Sequence, residues 1–287
     1  MVEMSVAQGA QHLTLKHIVK WLRLRWWTQA LFVTMLALVM FGPVTNLLIW
    51  TVTERWYFPH ALPVSWGFKY WHYVFNPVNG AFAALLTSIG IACAAVVVTT
   101  LVAIPVGYAL ARRHLPCRMF IMLLFLLPQA FPELPIYINI ARIFYQLGLN
   151  GTYLGVILVH TVHGLVFSVW IIVAAFSQCD PLTERAASNL GASNMKVFFT
   201  ITMPQAMGGI IASSIFVFLE SLDEFTGSFF VGAPDVTTLP LLLYNASMEG
   251  NYQVASISAL ILLVPSVLFM LVVERFMRPE MVAKIGQ

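Results

Sequence analysis

The sequence predicts an all-α, polytopic integral membrane protein with six transmembrane helices and both termini in the cytoplasm. Three observations predict it. Of the 287 residues, 60% are hydrophobic and only 9% are charged, with a mean hydropathy of +0.84. A soluble domain carries about a quarter charged residues, so this chain lacks the polar groups to cover a water-facing surface. Six apolar runs reach the roughly 20 residues that a helix needs to cross a bilayer core. Lys and Arg fall in alternate connecting segments, the pattern that sets topology. The net charge of +3 is therefore read as orientation in a membrane and excludes nothing more than a nucleic-acid-binding surface.

Residues 1–27 form the first segment. Lys16, Lys20, Arg23 and Arg25 are interspersed with Leu13, Leu15, Ile18, Val19, Leu22 and Trp26. Such a basic, amphipathic stretch lies along the inner interface or serves only as a charged anchor for topology. It does not read as a cleaved signal, because the apolar run after it is too long and lacks an A-x-A site. The spans are expected at 28–52, 81–110, 119–145, 153–176, 207–231 and 254–273, within a permeation domain of 28–275. A cytoplasmic tail, 276–287, follows. Twelve Lys and Arg fall on one side of this arrangement and three (Arg55, Lys69 and Arg142) on the other. The twelve include Arg112, Arg113 and Arg118 after the second span, and Arg185 and Lys196 after the fourth. That side is the cytoplasm.

The outer loop 54–77 is rich in Trp, Tyr and Phe, rings that favour the headgroup level or contact an external partner. Span three holds Pro128, Pro132 and Pro135 around Glu133, and proline removes a backbone donor and kinks a helix. Broken helices in lipid are tolerated where they face protein or a cavity. Cys93, Cys117 and Cys179 are scattered and give neither a disulfide framework nor metal spacing.

The inner loop 180–204 carries the strongest pattern. Asp180-Pro181 starts a helix, and Leu182, Ala186, Ala187 and Leu190 give it one small apolar face. Gly191 permits a sharp turn. Met195, Phe198, Phe199 and Met203 supply a second apolar stripe, which Pro204 is expected to end before span five. By pattern alone this is either an interfacial connector or an element that a partner grips.

The run Ala186-Ala187-x-x-Leu190-Gly191-Ala192, followed by Phe198, Ile201 and Pro204, resembles the EAA loop of the permease subunits of ABC importers. The turn 147–153, the stretch 221–225 and Thr238-Leu239-Pro240 resemble the spermidine/putrescine-type branch. The resemblance implies the fold of a type I ABC importer permease in a bacterial inner membrane. It also implies two cytoplasmic ATPase subunits docked on such loops, a second permease subunit (expected to be a different chain) and an external solute-binding protein. ATP and Mg would then sit on the ATPase partner, with no cofactor in this chain. The coupling residues it implies are Glu184, Arg185, Ala186, Ala187, Leu190, Gly191, Ala192 and Pro204. One position departs from the pattern: counting back from Gly191, the family's glutamate is replaced by Arg185, and Glu184 lies one residue earlier, about 100° around a helix.

Intramembrane carboxylates turn inward and usually have a function. Glu220, Asp223 and Glu224 lie within five residues in span five, with Glu220 on one helical face with both others. With Glu133 they are the candidates for lining a pathway that attracts an amine-bearing solute. Alternatively they pair with Arg142, His160 or His163, or cap a break near Gly227. His160 and His163 share a face of span four, as interhelical hydrogen-bonding groups or as a metal pair. No G-x-x-x-x-G-K-[ST], G-x-S-x-G or H-E-x-x-H pattern occurs, so no catalytic residue is assigned and an energy source, if ATP, sits on another polypeptide. Two other readings stand: an ion-coupled carrier using Glu133, Asp223 and Glu224, and a membrane enzyme using the His pair.

Overall fold

The structure, a computed structural model, describes residues 2–276, with side chains from 26 to 271 apart from 79 and 269. All of the tail 276–287 beyond residue 276, and most side chains of the 1–27 segment, lie outside those described. The chain divides into two compact units, Met1–Trp66 and Gly67–Gln287.

In the first unit, helix α1 (Val2–Thr51) contains the apolar stretch Trp26–Thr51, which is mostly exposed, with only Thr51 at its end buried. A helix that is apolar all round and unburied by protein suits contact with hydrocarbon. Strand β1 (Thr53–Arg55) pairs antiparallel with β2 (Ser65–Trp66). The Trp50 and Trp56 rings stack at 4.5 Å, and Trp56 Nε1 donates to the His60 carbonyl at 2.9 Å. Part of the aromatic-rich loop is thus folded on itself.

The second unit begins with the short helix α2 (Lys69–Phe75) and is built around three long helices: α3 (Ala81–Arg112), α6 (Tyr153–Gln178) and α9 (Met203–Asp223). Small residues let their backbones approach closely, and hydroxyls bond across the contact, as lipid-embedded packing requires. A Cβ on Gly107 would lie 2.5 Å from Ile172 Cγ2, and one on Gly164 would lie 2.8 Å from Val217 Cγ1. Ser168 and Ser213 meet at 2.7 Å, and Thr100 and Ser214 at 3.2 Å. Ala103, Leu110, Val169, Ile172, Phe176 and Ile210 fill one core cluster. Helices α10 (Leu239–Met248) and α11 (Tyr252–Phe276) close a second cluster that includes Val74, Ala246, Val254 and Ile257.

The expected six full spans are reproduced only in part. Among the described residues four helices are long and apolar enough to cross a membrane: Trp26–Thr51, Ala81–Arg112, Tyr153–Gln178 and Asn194–Asp223, with a fifth if one bent pair counts as a span. The described apolar part of α11, Tyr252–Leu268, is shorter.

The bent pair is the expected third span. It is two helices, α4 (Arg118–Ala130) and α5 (Glu133–Gln146), that meet at 97°. Phe131 precedes Pro132 and is extended, with φ −107° and ψ 151°, because the proline ring excludes the helical region for the residue before it.

The expected fifth span is displaced. It starts at Asn194 and ends at Asp223, not at 207 and 231. Pro204 does not end the apolar stripe before it. Helix α8 (Asn194–Val197) runs into a π-helical turn, Phe198–Thr202, where the Met203 N–H donates to the Phe198 carbonyl. Pro204 then falls in the first turn of α9, where a missing N–H costs little.

Candidate functional site

Two places bring the sequence-predicted residues together: the loop between α6 and α9, and a polar seam between α5, α6 and the end of α9. The loop is shaped by local chemistry. Asp180 caps helix α7 (Pro181–Asn189), its Oδ1 accepting from the Leu182 N–H at 2.9 Å, with Pro181 at the first helical position. At the other end, Gly191 has φ +86°, a conformation that glycine adopts at no steric cost. The Gly191 N–H donates to the Ser188 carbonyl at 3.0 Å and the Ala192 N–H to the Ala187 carbonyl at 3.1 Å. Together these two bonds form a Schellman turn. Ser193 then caps α8 through the Lys196 N–H.

The outcome is a nine-residue helix that presents apolar side chains outward. Leu190 is 89% exposed, and Leu182 and Met195 are also exposed. Ala186 is exposed, and Ala187 and Ala192 are half-buried.

The two charged neighbours in α7 face different ways. Arg185 is exposed and has no polar partner among the described residues. Glu184 turns into the protein: its Oε1 accepts from Arg112 Nη2 at 3.0 Å and from Thr202 Oγ1 at 2.9 Å. Arg112 Nη2 also donates to the Cys179 carbonyl at 2.7 Å. Burial pushes the Cys179 thiol above its ordinary pKa, and the Arg112 charge opposes this. A cleft of about 970 Å³ opens between α3, α7 and the 194–203 stretch, with Tyr108, Arg112, Glu184, Arg185, Met195 and Phe199 on its walls. The sequence marked Arg112 only as a topology charge. Nothing local tied it to a carboxylate 72 positions away.

In the polar seam, Glu224 is 7% exposed. Its carboxylate accepts from the Gly227 and Ser228 N–H groups at 2.6 and 3.1 Å and from Ser228 Oγ at 3.3 Å. His160 Nε2 stands 3.3 Å from it. His160 also meets Ser221 Oγ through Nδ1 at 2.6 Å and Ser228 Oγ through Nε2 at 2.9 Å. Buried charge is tolerated only when paired and hydrogen-bonded in this way. The second histidine makes a separate set: His163 Nε2 is 2.9 Å from Glu220 Oε2, and Nδ1 is 3.3 Å from the Tyr137 hydroxyl. The two histidines therefore act as interhelical hydrogen-bonding groups on different partners.

The expected common face of Glu220 and Glu224 does not form. Helix α9 stops at Asp223, and Glu224 is extended, with ψ 113°, because its side chain caps the following π-helical turn Ser228–Gly232. Glu133, the first residue of α5, is exposed and accepts from Thr226 Oγ1 at 3.2 Å. Asp223 is exposed and has no hydrogen-bond partner among the described residues. Of the four candidate pathway carboxylates, Glu224 is walled in, while Glu133, Glu220 and Asp223 reach the surface.

A family described as "Binding-protein-dependent transport system inner membrane component" matches residues 103–281. This chain belongs to that family. The permease is 25% identical over 254 residues to the "Probable ABC transporter permease protein y4oR" of Sinorhizobium fredii (strain NBRC 101917 / NGR234), covering 80% of this chain and 90% of the relative. It is 35% identical over 106 residues to the "Putrescine transport system permease protein PotI" of Escherichia coli (strain K12), covering 37% of this chain and 38% of the relative. Two crystal structures share the permease's fold. That of "a bacterial ABC transporter involved in the import of the acidic polysaccharide alginate" has TM-score 0.67 and 15% identity over 89% of this chain and 97% of that one. That of a "bacterial alginate ABC transporter in complex with alginate pentasaccharide-bound periplasmic protein" has TM-score 0.61 and 14% identity over 89% and 95%. The protein is a multi-pass membrane permease subunit of an ABC importer, and it is not itself an enzyme.

Proposed function

We propose that this permease moves a small cationic or amine-containing solute, polyamine-like, into the cytoplasm across a bacterial inner membrane. Two ATPase subunits drive it by gripping the 180–204 loop from the cytoplasmic side. ATP and Mg are bound there and not on this chain. A second, different permease chain completes the pore, and an external solute-binding protein delivers the cargo. The observation that carries this reading is α7 itself, a short helix capped by Asp180 and closed by the turn at Gly191, with Leu190 almost fully exposed and Leu182 and Met195 exposed beside it in sequence. Such a patch needs an apolar partner surface. When the ATPase pair closes on nucleotide, the loop follows and the spans rock; only a difference in partner contacts between the two states drives that change.

The solute class is supported by charge. Glu133, Glu220 and Asp223 reach the surface, and PotI is named for putrescine transport. The alginate transporters, named for an acidic polysaccharide, share only the fold.

The test is purification of the tagged chain in mild detergent, followed by reconstitution. An ATPase and a second permease co-purify, and uptake of labelled putrescine depends on ATP and ignores ionophores. Uptake by this chain alone, driven by an ion gradient, overturns the reading. In the same assay, Glu220→Gln or Asp223→Asn raises KM for putrescine roughly tenfold at unchanged complex yield, the effect of losing a charged contact of about 1.5 kcal/mol. An unchanged KM in both variants removes these side chains from the path.

A further inference from the structure

We propose that Arg112 and Glu184 form a strut that makes α3 follow the 180–204 loop, so that both are positioning residues for the transport stroke. The proposal rests on the docking of an ATPase on that loop.

Covalently, the loop is attached only to α6 and α9. The third helix of the core, α3, ends at Arg112 and has no chain connection to the loop nearby. Apolar packing holds α3 against its neighbours, but apolar contact is non-directional and resists sliding poorly. A charge-assisted hydrogen bond is short and directional. One guanidinium nitrogen supplies two: Arg112 Nη2 donates to the Cys179 carbonyl at the end of α6 and to Glu184 on α7. The same Glu184 oxygen accepts from Thr202, which lies fully buried in the π-helical turn leading into α9. A single ion pair therefore joins the inner ends of α3, α6 and α9 to the docking helix.

The pair is mostly shielded, with Arg112 and Glu184 side chains 15% and 18% exposed, so water competes for it weakly. Its attachment is at one point. Arg112 Nε is buried without a hydrogen-bond partner among the described residues, and the two-pronged geometry that fixes angle as well as distance is not used. The inward turn of Glu184 also explains how the loop tolerates Arg185 one position later: the carboxylate serves the interior, and the exposed position is released from that task.

The experiment uses the assembled complex in nanodiscs, with Cys93→Ser and Cys117→Ser to remove the exposed native thiols. Spin labels at Asn189→Cys on α7 and Val97→Cys on α3 report their separation by pulsed electron resonance, with and without ATP and vanadate. In the native background the separation stays constant, because loop and α3 move together. In Arg112→Ala, Glu184→Ala and the double variant it changes on trapping by on the order of 2–5 Å, equally in all three, since the two residues act as one unit. Glu184→Gln, which keeps an acceptor oxygen for Arg112 and Thr202, keeps the native separation on trapping. The strut is overturned if the native separation itself changes on trapping, if the alanine variants behave as native, or if Glu184→Gln fails to assemble. Absence of any ATPase from the native complex instead overturns the docking reading on which the strut rests.

Discussion

Glu224→Ala lowers the stability of the folded permease by about 3–5 kcal/mol, the cost of removing one partner from a buried, hydrogen-bonded charge. The substitution leaves the Gly227 and Ser228 N–H groups without their acceptor and takes the carboxylate away from His160 and the Ser228 hydroxyl, at a position that is only 7% exposed. It also removes the cap that ends α9 and starts the Ser228–Gly232 turn. Thermal unfolding of the purified chain in detergent, followed by fluorescence, checks this: the midpoint falls steeply for Glu224→Ala, less for Glu224→Gln, and stays unchanged for Asp223→Asn. The contrast between neighbours is the informative part. Two adjacent carboxylates with the same formal charge divide into one that holds the chain's shape and one that is exposed.

Gly191→Val is the second large effect, and here function falls more than fold. No atom lies within 4 Å of a Cβ placed at Gly191, so crowding is not the cause. The backbone is: φ is +86°, and an L side chain in the left-handed region costs about 1–2 kcal/mol, more for a β-branched one. The chain relieves this by opening the Schellman turn, which frees the Ala187 and Ser188 carbonyls and lets the end of α7 drift. A destabilisation of that size corresponds to a factor of roughly 5–30 in the population of the docking-competent loop. ATP-driven uptake in proteoliposomes falls by that factor, while the unfolding midpoint of the isolated chain barely moves. Asn, which tolerates the left-handed region, restores most of the activity. Equal loss with Asn and Val would show that the turn's conformation is not what matters.

Local chemistry explains what could be read from the sequence. The start of α7 at Asp180-Pro181 and its end at Gly191 were legible because an N-cap and a positive-φ glycine act within four residues of themselves. The long apolar runs of α1, α3 and α6 were legible because lipid demands length and little else. Four features were legible only in part or not at all. The break after Phe131 was visible as a cluster of prolines, but its 97° angle depends on where α4 and α5 find contacts. Pro204 reads as a terminator because proline lacks a donor; it falls instead in a first helical turn, behind a π-helical segment that sequence spacing does not reveal. Glu220, Asp223 and Glu224 read as one cluster only while the helix is assumed to continue, and the Glu224 side chain itself ends it. The Arg112–Glu184 pair had no local signal at all, since both partners already had an ordinary explanation in topology and loop charge.

The account stands on the gripping of α7 by a nucleotide-hydrolysing subunit. A photoreactive cross-linker in place of Leu190, in the complete complex during ATP turnover, tests it most directly. The predicted product is a covalent adduct between this chain and the ATPase, which Ala186→Trp abolishes together with uptake. A complex that hydrolyses ATP and moves solute, yet yields adducts from this position only to lipid or to another permease chain, would contradict it.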